Sequence, residues 1–418
     1  MLDEYIAQTE KPSDYFSRAI IAPHAGYIFS GRLAVEAYKY LNPAAKNIFI
    51  ISPAHYERIT GCVISDYDEW ETPLGVVNVN TELTQTVAQC CDCSVNNAAF
   101  EKEHAVEVHI PIIRKMFPHA QIVPLIYGSE NPVSVAKVIA SFWNDKDNAF
   151  VISSDLSHFY PEAETRKIDN YTAKMIENGE IENFAYEQAC GTIGITGLVR
   201  FANDKRWSMI RVGMTDSAAR TGDYSRVVGY GSWFLYEGNK NEYIKKYFSD
   251  FVLDVCRNSI GDPRYEPPEH PAVFDEDGAC FVTLEKNCQL CGCIGSIIAH
   301  QPLIDDLVNN ARCAAFRDPR FEPLTREEFE HLDISVSLLT KPEKMTFTDE
   351  QDLLNQLVPN RDGLIISDNG YQSVFLPVVW EQLPDKHEFM EHLKLKAGLR
   401  PDHFSETFEA RRFYAVKI

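Results

Sequence analysis

The sequence predicts an α/β protein: an N-terminal, parallel-rich sheet with helices on both faces, followed by a separate C-terminal α+β domain. Three observations carry this. Short apolar runs alternate with helical patterns through the first half, the rhythm of a parallel sheet covered on both sides. The texture of the chain changes after Tyr236, where a polar, charged stretch, "EGNKNEYIKKYFSD" over 237–250, marks a boundary. And 418 residues are too many for one ordinary core.

In order, the first-half strands are "AIIAP" (19–23), "NIFIISP" (47–53), "AQIVPLIYG" (120–128) and "AFVISSD" (149–155). Helical patterns lie between them at 31–41, 106–117 and 132–143. A late pair of strands, 208–216 and 225–236, adds to one side of the sheet. The second half opens with a helix around 243–258 and a proline-rich surface stretch. Strand-like "GACFVTLEK" (278–286) and the "CGCIGSIIA" segment (291–299) follow, then helices over 302–315 and 325–330. Runs at 333–340, 362–377 and 411–418 read as strands. The domains expected are residues 1–238 and 243–418.

Composition narrows the function. Forty Lys and Arg against 61 Asp and Glu give a net charge of -21, which disfavours non-specific contact with nucleic acid or an anionic membrane. No apolar run is long enough to span a bilayer, and the first residues carry acids where a signal peptide has a basic region. The expected location is cytoplasmic. Eleven cysteines are then thiols or metal ligands rather than a disulfide framework. Two clusters, Cys90, Cys91 and Cys93, and Cys288, Cys291 and Cys293, lack the paired spacing of a zinc ribbon.

Functional groups of open α/β sheets collect beyond the carboxyl ends of strands. His24 follows the first strand, His55 the second, and Asp155 and His158 the fourth. A lone histidine is ordinarily a satisfied polar residue; the set is what argues for a site. His24 and His55 are expected after neighbouring strands, a natural geometry for two ligands on one divalent ion. Cys190 sits in "ACGTIGITG", whose glycines let backbone approach closely. Imidazole with thiolate suits Fe, Zn or Cu. His104 and His109, five apart, do not share one helical position, so one faces the site and the other packs or meets solvent. His158, three residues after Asp155, suits a general acid or base whose tautomer the carboxylate holds. Asp155 also reads as a helix cap.

The motifs "APHAGYIFSG", "SPAH", "EKEHAVEVHIP", "SSDLSH", "CGTIGITG" and "TGDYSRVVGY", in that order, resemble the Memo family over about residues 1 to 237. That resemblance implies a fold like the class III extradiol dioxygenases, with a cysteine in place of their metal-binding glutamate. Carried over by motif, His24, His55 and Cys190 would hold the metal. His158 would be the acid-base group, with Asp155 beside it, and His104 and Glu103 would line the pocket. Many relatives have a second histidine after His55; here Tyr56 forms that wall. Fe(II) is the metal expected, with Cu or Zn as alternatives. An open Fe(II) binds oxygen or a catechol-like substrate, whereas an open Zn(II) activates water.

In the second half, "GCIGS", "DPRFEPLT", "ISVSLLT", "DGLIISDNGYQSVFLPVVWEQLP" and "FMEHLKLKAGL" resemble the AMMECR domain family over about 243 to 418. Relatives carry arginine where this chain has Cys291, so no anion-binding role is carried onto that position. Cys293 and Arg320 are the candidates for a cleft in this domain. Together the halves resemble proteins A and B of the AmmeMemoRadiSam system fused in one chain, which implies a radical SAM protein as partner. This chain lacks the C-x-x-x-C-x-x-C motif of that enzyme. The function expected is a non-haem-metal redox enzyme, or a component of one, acting on a small molecule or peptide. The alternatives are a non-catalytic module that binds a peptide or partner in the same cleft, and a recognition subunit of an RNA- or protein-modifying complex.

Overall fold

The structure is a computed structural model that describes residues 1–128 and 132–418. The chain divides into two compact units, Met1–Lys240 with Pro271–Val273, and Asn241–His270 with Phe274–Ile418.

The first unit carries strands β1 (Ala19–Ala22), β2 (Asn47–Pro53), β3 (Cys62–Ile64), β4 (Glu69–Thr72), β5 (Gly75–Asn78), β6 (Ser94–Val95), β7 (Gln121–Tyr127), β8 (Asn148–Ser153), β9 (His158–Tyr160), β10 (Ser208–Asp216) and β11 (Val227–Tyr236). Its helices are α1 (Leu2–Gln8), α2 (Arg32–Tyr38), α3 (Thr81–Cys91), α4 (His104–Glu107), α5 (His109–Met116), α6 (Pro132–Phe142), α7 (Glu162–Asn178), α8 (Thr192–Lys205) and α9 (Ala218–Thr221). The sheet runs β10-β11-β1-β8-β2-β7-β3-β6. Its centre, β1, β8, β2 and β7, is parallel. The late pair, β10 and β11, adds to one side of the sheet as the sequence predicts, and the structure shows it pairing antiparallel, with β11 beside β1.

Apolar runs without alternation follow from burial on both faces. Ile21, Phe49, Ile51, Val123, Phe150 and Ile152 pack under α3, α6, α7 and α8. The residues between them, such as Ile20 and Ile50, are fully buried on the other face, where α2 and α4 meet β1 and β2. One expectation is corrected. β1 and β2 are not neighbours, because β8 lies between them. A parallel sheet needs helical crossovers, and here the chain visits the edge before it fills the middle. His24 and His55 therefore leave strands about 10 Å apart, at two strand spacings, and the end of β8 rises between them.

The second unit holds α10 from Asn241 onward (whole helix Lys240–Gly261), β12 (Asp277–Lys286), β13 (Gln289–Gly295), β14 (Gln301–Pro302), α11 (Leu303–Phe316), α12 (Arg326–Phe329), β15 (Leu332–Leu339), β16 (Glu343–Lys344), α13 (Glu350–Gln356), β17 (Asp362–Asp368), β18 (Tyr371–Phe375), α14 (Lys386–Lys396) and β19 (Glu409–Lys417). Its sheet, β13-β12-β15-β19-β17-β18, is antiparallel. Leu353 and Leu354 of α13 and Phe389, Met390 and Leu393 of α14 form a core with Leu364 and Ile366 of β17. The run 362–377, expected as one strand, is a hairpin. Asn369 and Gly370 take φ of +47° and +86°, the left-handed pair that a two-residue hairpin turn requires. No described helix is long and apolar enough to cross a membrane.

Candidate metal centre

The site forms where β1, β2 and β8 end. His24 leaves β1, His55 leaves β2, and His104 is the first residue of α4. One ring nitrogen from each lies within 4.8 Å of the others. The His55 and His104 ring centres are 4.7 Å apart, and His24 stands edge-on to both at 5.2 and 5.3 Å. Of the ring pair expected on the α4–α5 segment, His104 faces the site and His109 packs in the core, wholly buried.

Each ring is held from behind. Glu103, 2% exposed, takes the His55 backbone N–H on Oε2 at 2.7 Å and faces His55 Nδ1 with Oε1 at 2.8 Å. The same Oε1 accepts from the Ala105 N–H at 3.0 Å, capping α4. Burial opposes its ionisation, yet these bonds from His55 and Ala105 hold its carboxyl below the ordinary value. A carboxylate only accepts, so His55 Nδ1 carries the hydrogen of that bond. His24 Nδ1 lies 2.7 Å from Ser153 Oγ. Asp155 accepts the His24 backbone N–H at 2.9 Å. Asp155 thus anchors the loop after β1 rather than starting a helix.

Cys190 lies beside His24, outside the group of three histidines. Its sulfur lies 3.4 Å from His24 Nε2 and accepts the Asp155 N–H at 3.2 Å. Gly191 makes this approach possible: a Cβ there would fall 2.4 Å from Ser154 Cβ. Burial, then the Asp155 carboxylate, pushes the thiol well above its usual range. Burial, then the neighbouring His55 and His104, keeps His24 far below the usual imidazole value, and His104 is lowered by the same causes, burial and then His55. His158 is lowered by burial against the pull of Asp155, while burial raises Asp155. His24, His104 and His158 are therefore neutral imidazoles beside a protonated thiol.

Neutral imidazoles crowded together with unshared lone pairs are the donor set a divalent metal takes. A tetrahedral ion with N and S ligands at about 2.0 and 2.3 Å would separate the two donors by about 3.6 Å, close to the Cys190–His24 spacing. The residues fit a metal. A cavity of about 430 Å³ opens beside the thiol, bounded by Pro53, Arg58, Ile59, Tyr127, Tyr186 and Cys190. Tyr56 is exposed, edge-on to His104 at 5.8 Å.

In the second unit, Arg320 and Cys293 do come together. Asp318 accepts the Cys293 N–H at 2.8 Å, and Arg320 donates to the Cys293 carbonyl at 2.8 Å and to Asp318 at 2.7 and 2.9 Å. β13 is an edge strand, and this ion pair satisfies backbone groups that a further strand would otherwise take. The Cys293 sulfur meets Thr283 Oγ1 at 3.4 Å.

Ser153 and the role of His109 were not legible from sequence. A serine in "SSDLSH" carries no unusual signal; only its register opposite Ala22 on β1 puts it behind His24.

Residues 1–234 match the family model described as Memo-like protein, and residues 253–418 match AMMECR1. A MEMO1 family protein of Aquifex aeolicus is 32% identical over 232 residues, 52% of this chain and 86% of that protein. One from Caldivirga maquilingensis is 29% identical, over 54% of this chain and 86% of its own length. Protein MJ0810 of Methanocaldococcus jannaschii is 38% identical over 40% of this chain and 84% of its own. Among solved structures, the uncharacterized protein PH0010 of Pyrococcus horikoshii is 32% identical and covers 40% of this chain and 88% of that one, with a TM-score of 0.38.

Proposed function

The chain belongs to the Memo-like protein family, matched over residues 1–234 and joined to an AMMECR1 region, and from that premise we propose that its N-terminal unit is a metal-dependent redox enzyme. His24, His55 and Cys190 would hold the ion, with His104 as a further nitrogen donor beside them. The observation that carries this reading is the shared orientation of two rings. Both His24 and His55 commit Nδ1 to an oxygen of the protein, so each offers Nε2, the arrangement that second-sphere oxygens give to metal-ligating histidines.

Thiolate is a soft donor, which favours Fe(II), Cu or Zn over Mg or Ca. A bound Fe(II) would supply a redox-active Lewis acid; the remaining work falls to this chain. Cys190 must shed its proton to become a ligand, and the Asp155 N–H pointing at the sulfur favours the thiolate. His158, neutral by burial, has a nitrogen able to take a proton from a bound substrate, and Asp155 favours the imidazolium that results. The 430 Å³ cavity suits a small organic substrate or the end of a peptide. The combined resemblance of the two halves supports a radical SAM protein as partner, and co-purification from the source cell checks that.

The test is metal analysis of protein purified without oxygen, wild type beside His24→Ala and Cys190→Ala. Near-stoichiometric iron or copper, lost in both variants, is the expected result. Zinc lost in the same way would replace redox chemistry by hydrolysis. A wild type that takes up none of the three metals would end the catalytic reading and leave a binding module.

A further inference from the structure

We infer that Ser153 is the positioning residue of the metal centre: its hydroxyl, braced by His109, fixes the tautomer of His24 so that Nε2 alone is offered to the ion. The inference rests on the metal reading above, but its first observable does not need the metal.

The argument is a count of protons. Ser153 is completely buried at the end of β8, and its Oγ has three neighbours. The Ala105 carbonyl, at 2.7 Å, only accepts, so the one hydroxyl hydrogen goes there. Two lone pairs remain. They face His24 Nδ1 at 2.7 Å and His109 Nε2 at 2.9 Å, and both of those nitrogens must then carry hydrogen. The two rings are forced into opposite tautomers, His24 protonated at Nδ1 and His109 at Nε2. The consequence for His109 is visible in its other nitrogen. Nδ1 is buried without a hydrogen-bond partner among the described residues, as a bare lone pair tolerates better than an N–H. The consequence for His24 is that Nε2, 3.4 Å from the Cys190 sulfur, is a lone pair.

Three buried polar groups converge on one serine oxygen, which sets both the ring's rotation and its proton. Glu103 does the same for His55. The two first ligands are thus oriented by different chemistry, a neutral hydroxyl for one and a carboxylate for the other. Second-sphere partners of this kind are typically worth 10–100-fold in metal affinity.

Nitrogen-15 spectra of histidine-labelled, metal-free wild type at pH 8 test the tautomers directly. His24 with hydrogen on Nδ1 and His109 with hydrogen on Nε2 is the expected result; His24 with hydrogen on Nε2 would overturn the inference. Competition with a chromophoric chelator then measures metal affinity. Ser153→Ala should bind Fe(II) or Zn(II) 10–100-fold more weakly than wild type, with Ser153→Thr, which keeps the hydroxyl, recovering most of it. An alanine variant within twofold of wild type would overturn the positioning role. If wild type shows the stated tautomers yet binds no metal, the metal reading fails and Ser153 falls with it as a metal-positioning residue.

Discussion

His109 makes the stability of the first unit depend on pH. The ring is completely buried, and burial, then the nearby His24, pulls its value down to about 3. In the unfolded chain it titrates near 6.5. Between those values the unfolded state holds a proton that the folded state refuses, so the stability linked to this residue is full above pH 6.5. It falls away as the pH drops toward 3. At pH 5 the loss is about 2 kcal/mol, set almost wholly by the unfolded value. Urea unfolding of wild type and His109→Gln at pH 8 and pH 5 checks this: wild type should lose about 2 kcal/mol more than the variant, and parallel pH profiles would contradict it. The residue scale also shows what a sequence reveals. His24, His55 and Asp155 stand out because imidazole and carboxylate at strand ends are chemically conspicuous; His104, Cys190 and Glu103 stand out through the motifs that hold them. Ser153 is as central to the geometry, but its importance comes from what the fold packs around it.

At the scale of elements, Gly191 is the joint between β8 and α8. Its N–H donates to Ser154 Oγ at 2.9 Å, and a Cβ would lie 2.4 Å from Ser154 Cβ and 2.7 Å from the Ser153 carbonyl. Backbone atoms cannot yield as a flexible side chain can. Gly191→Ala should therefore cost about 1–3 kcal/mol and move Cys190 off His24. Thermal unfolding together with metal affinity measures both, and a variant with unchanged melting and binding would refute the close approach. The sequence already marked this glycine as permitting close contact. It did not reveal the helix that follows. α8 contains Gly194 and Gly197, which weaken intrinsic helicity by about 1 kcal/mol each, and it forms because its Ile195, Leu198 and Val199 pack into the sheet core. α7 stayed hidden for a different reason. Its buried face includes Thr165, Asp169 and Thr172, so no continuous apolar stripe announces it. The parallel strands were legible because burial on both faces leaves an uninterrupted apolar run. The order in which they pair was not, since nothing in such a run says which neighbour it takes.

For the whole molecule, the change of texture after Tyr236 and the two unlike element patterns predict two domains, and the chain divides into two compact units. The two sheets confirm their separate classes: parallel-centred in one, antiparallel in the other. Each unit has its own buried apolar cluster, and every residue proposed to touch the metal, as well as Ser153 and His109, lies in Met1–Lys240. A ligand stabilises only what it binds. Metal free at 100 times its dissociation constant adds about 2.7 kcal/mol to the unit that holds it, and for about 240 residues each kcal/mol moves the midpoint by about 2–4 °C. Calorimetry of the intact chain should thus show two transitions, one of which rises by about 5–10 °C on adding metal while the other stays fixed. Cys190→Ala, with a ligand removed, should keep both transitions and lose the shift. Two transitions that rise together would place metal in both units, and one transition moving as a whole would mean that the two cores unfold as a single cooperative body.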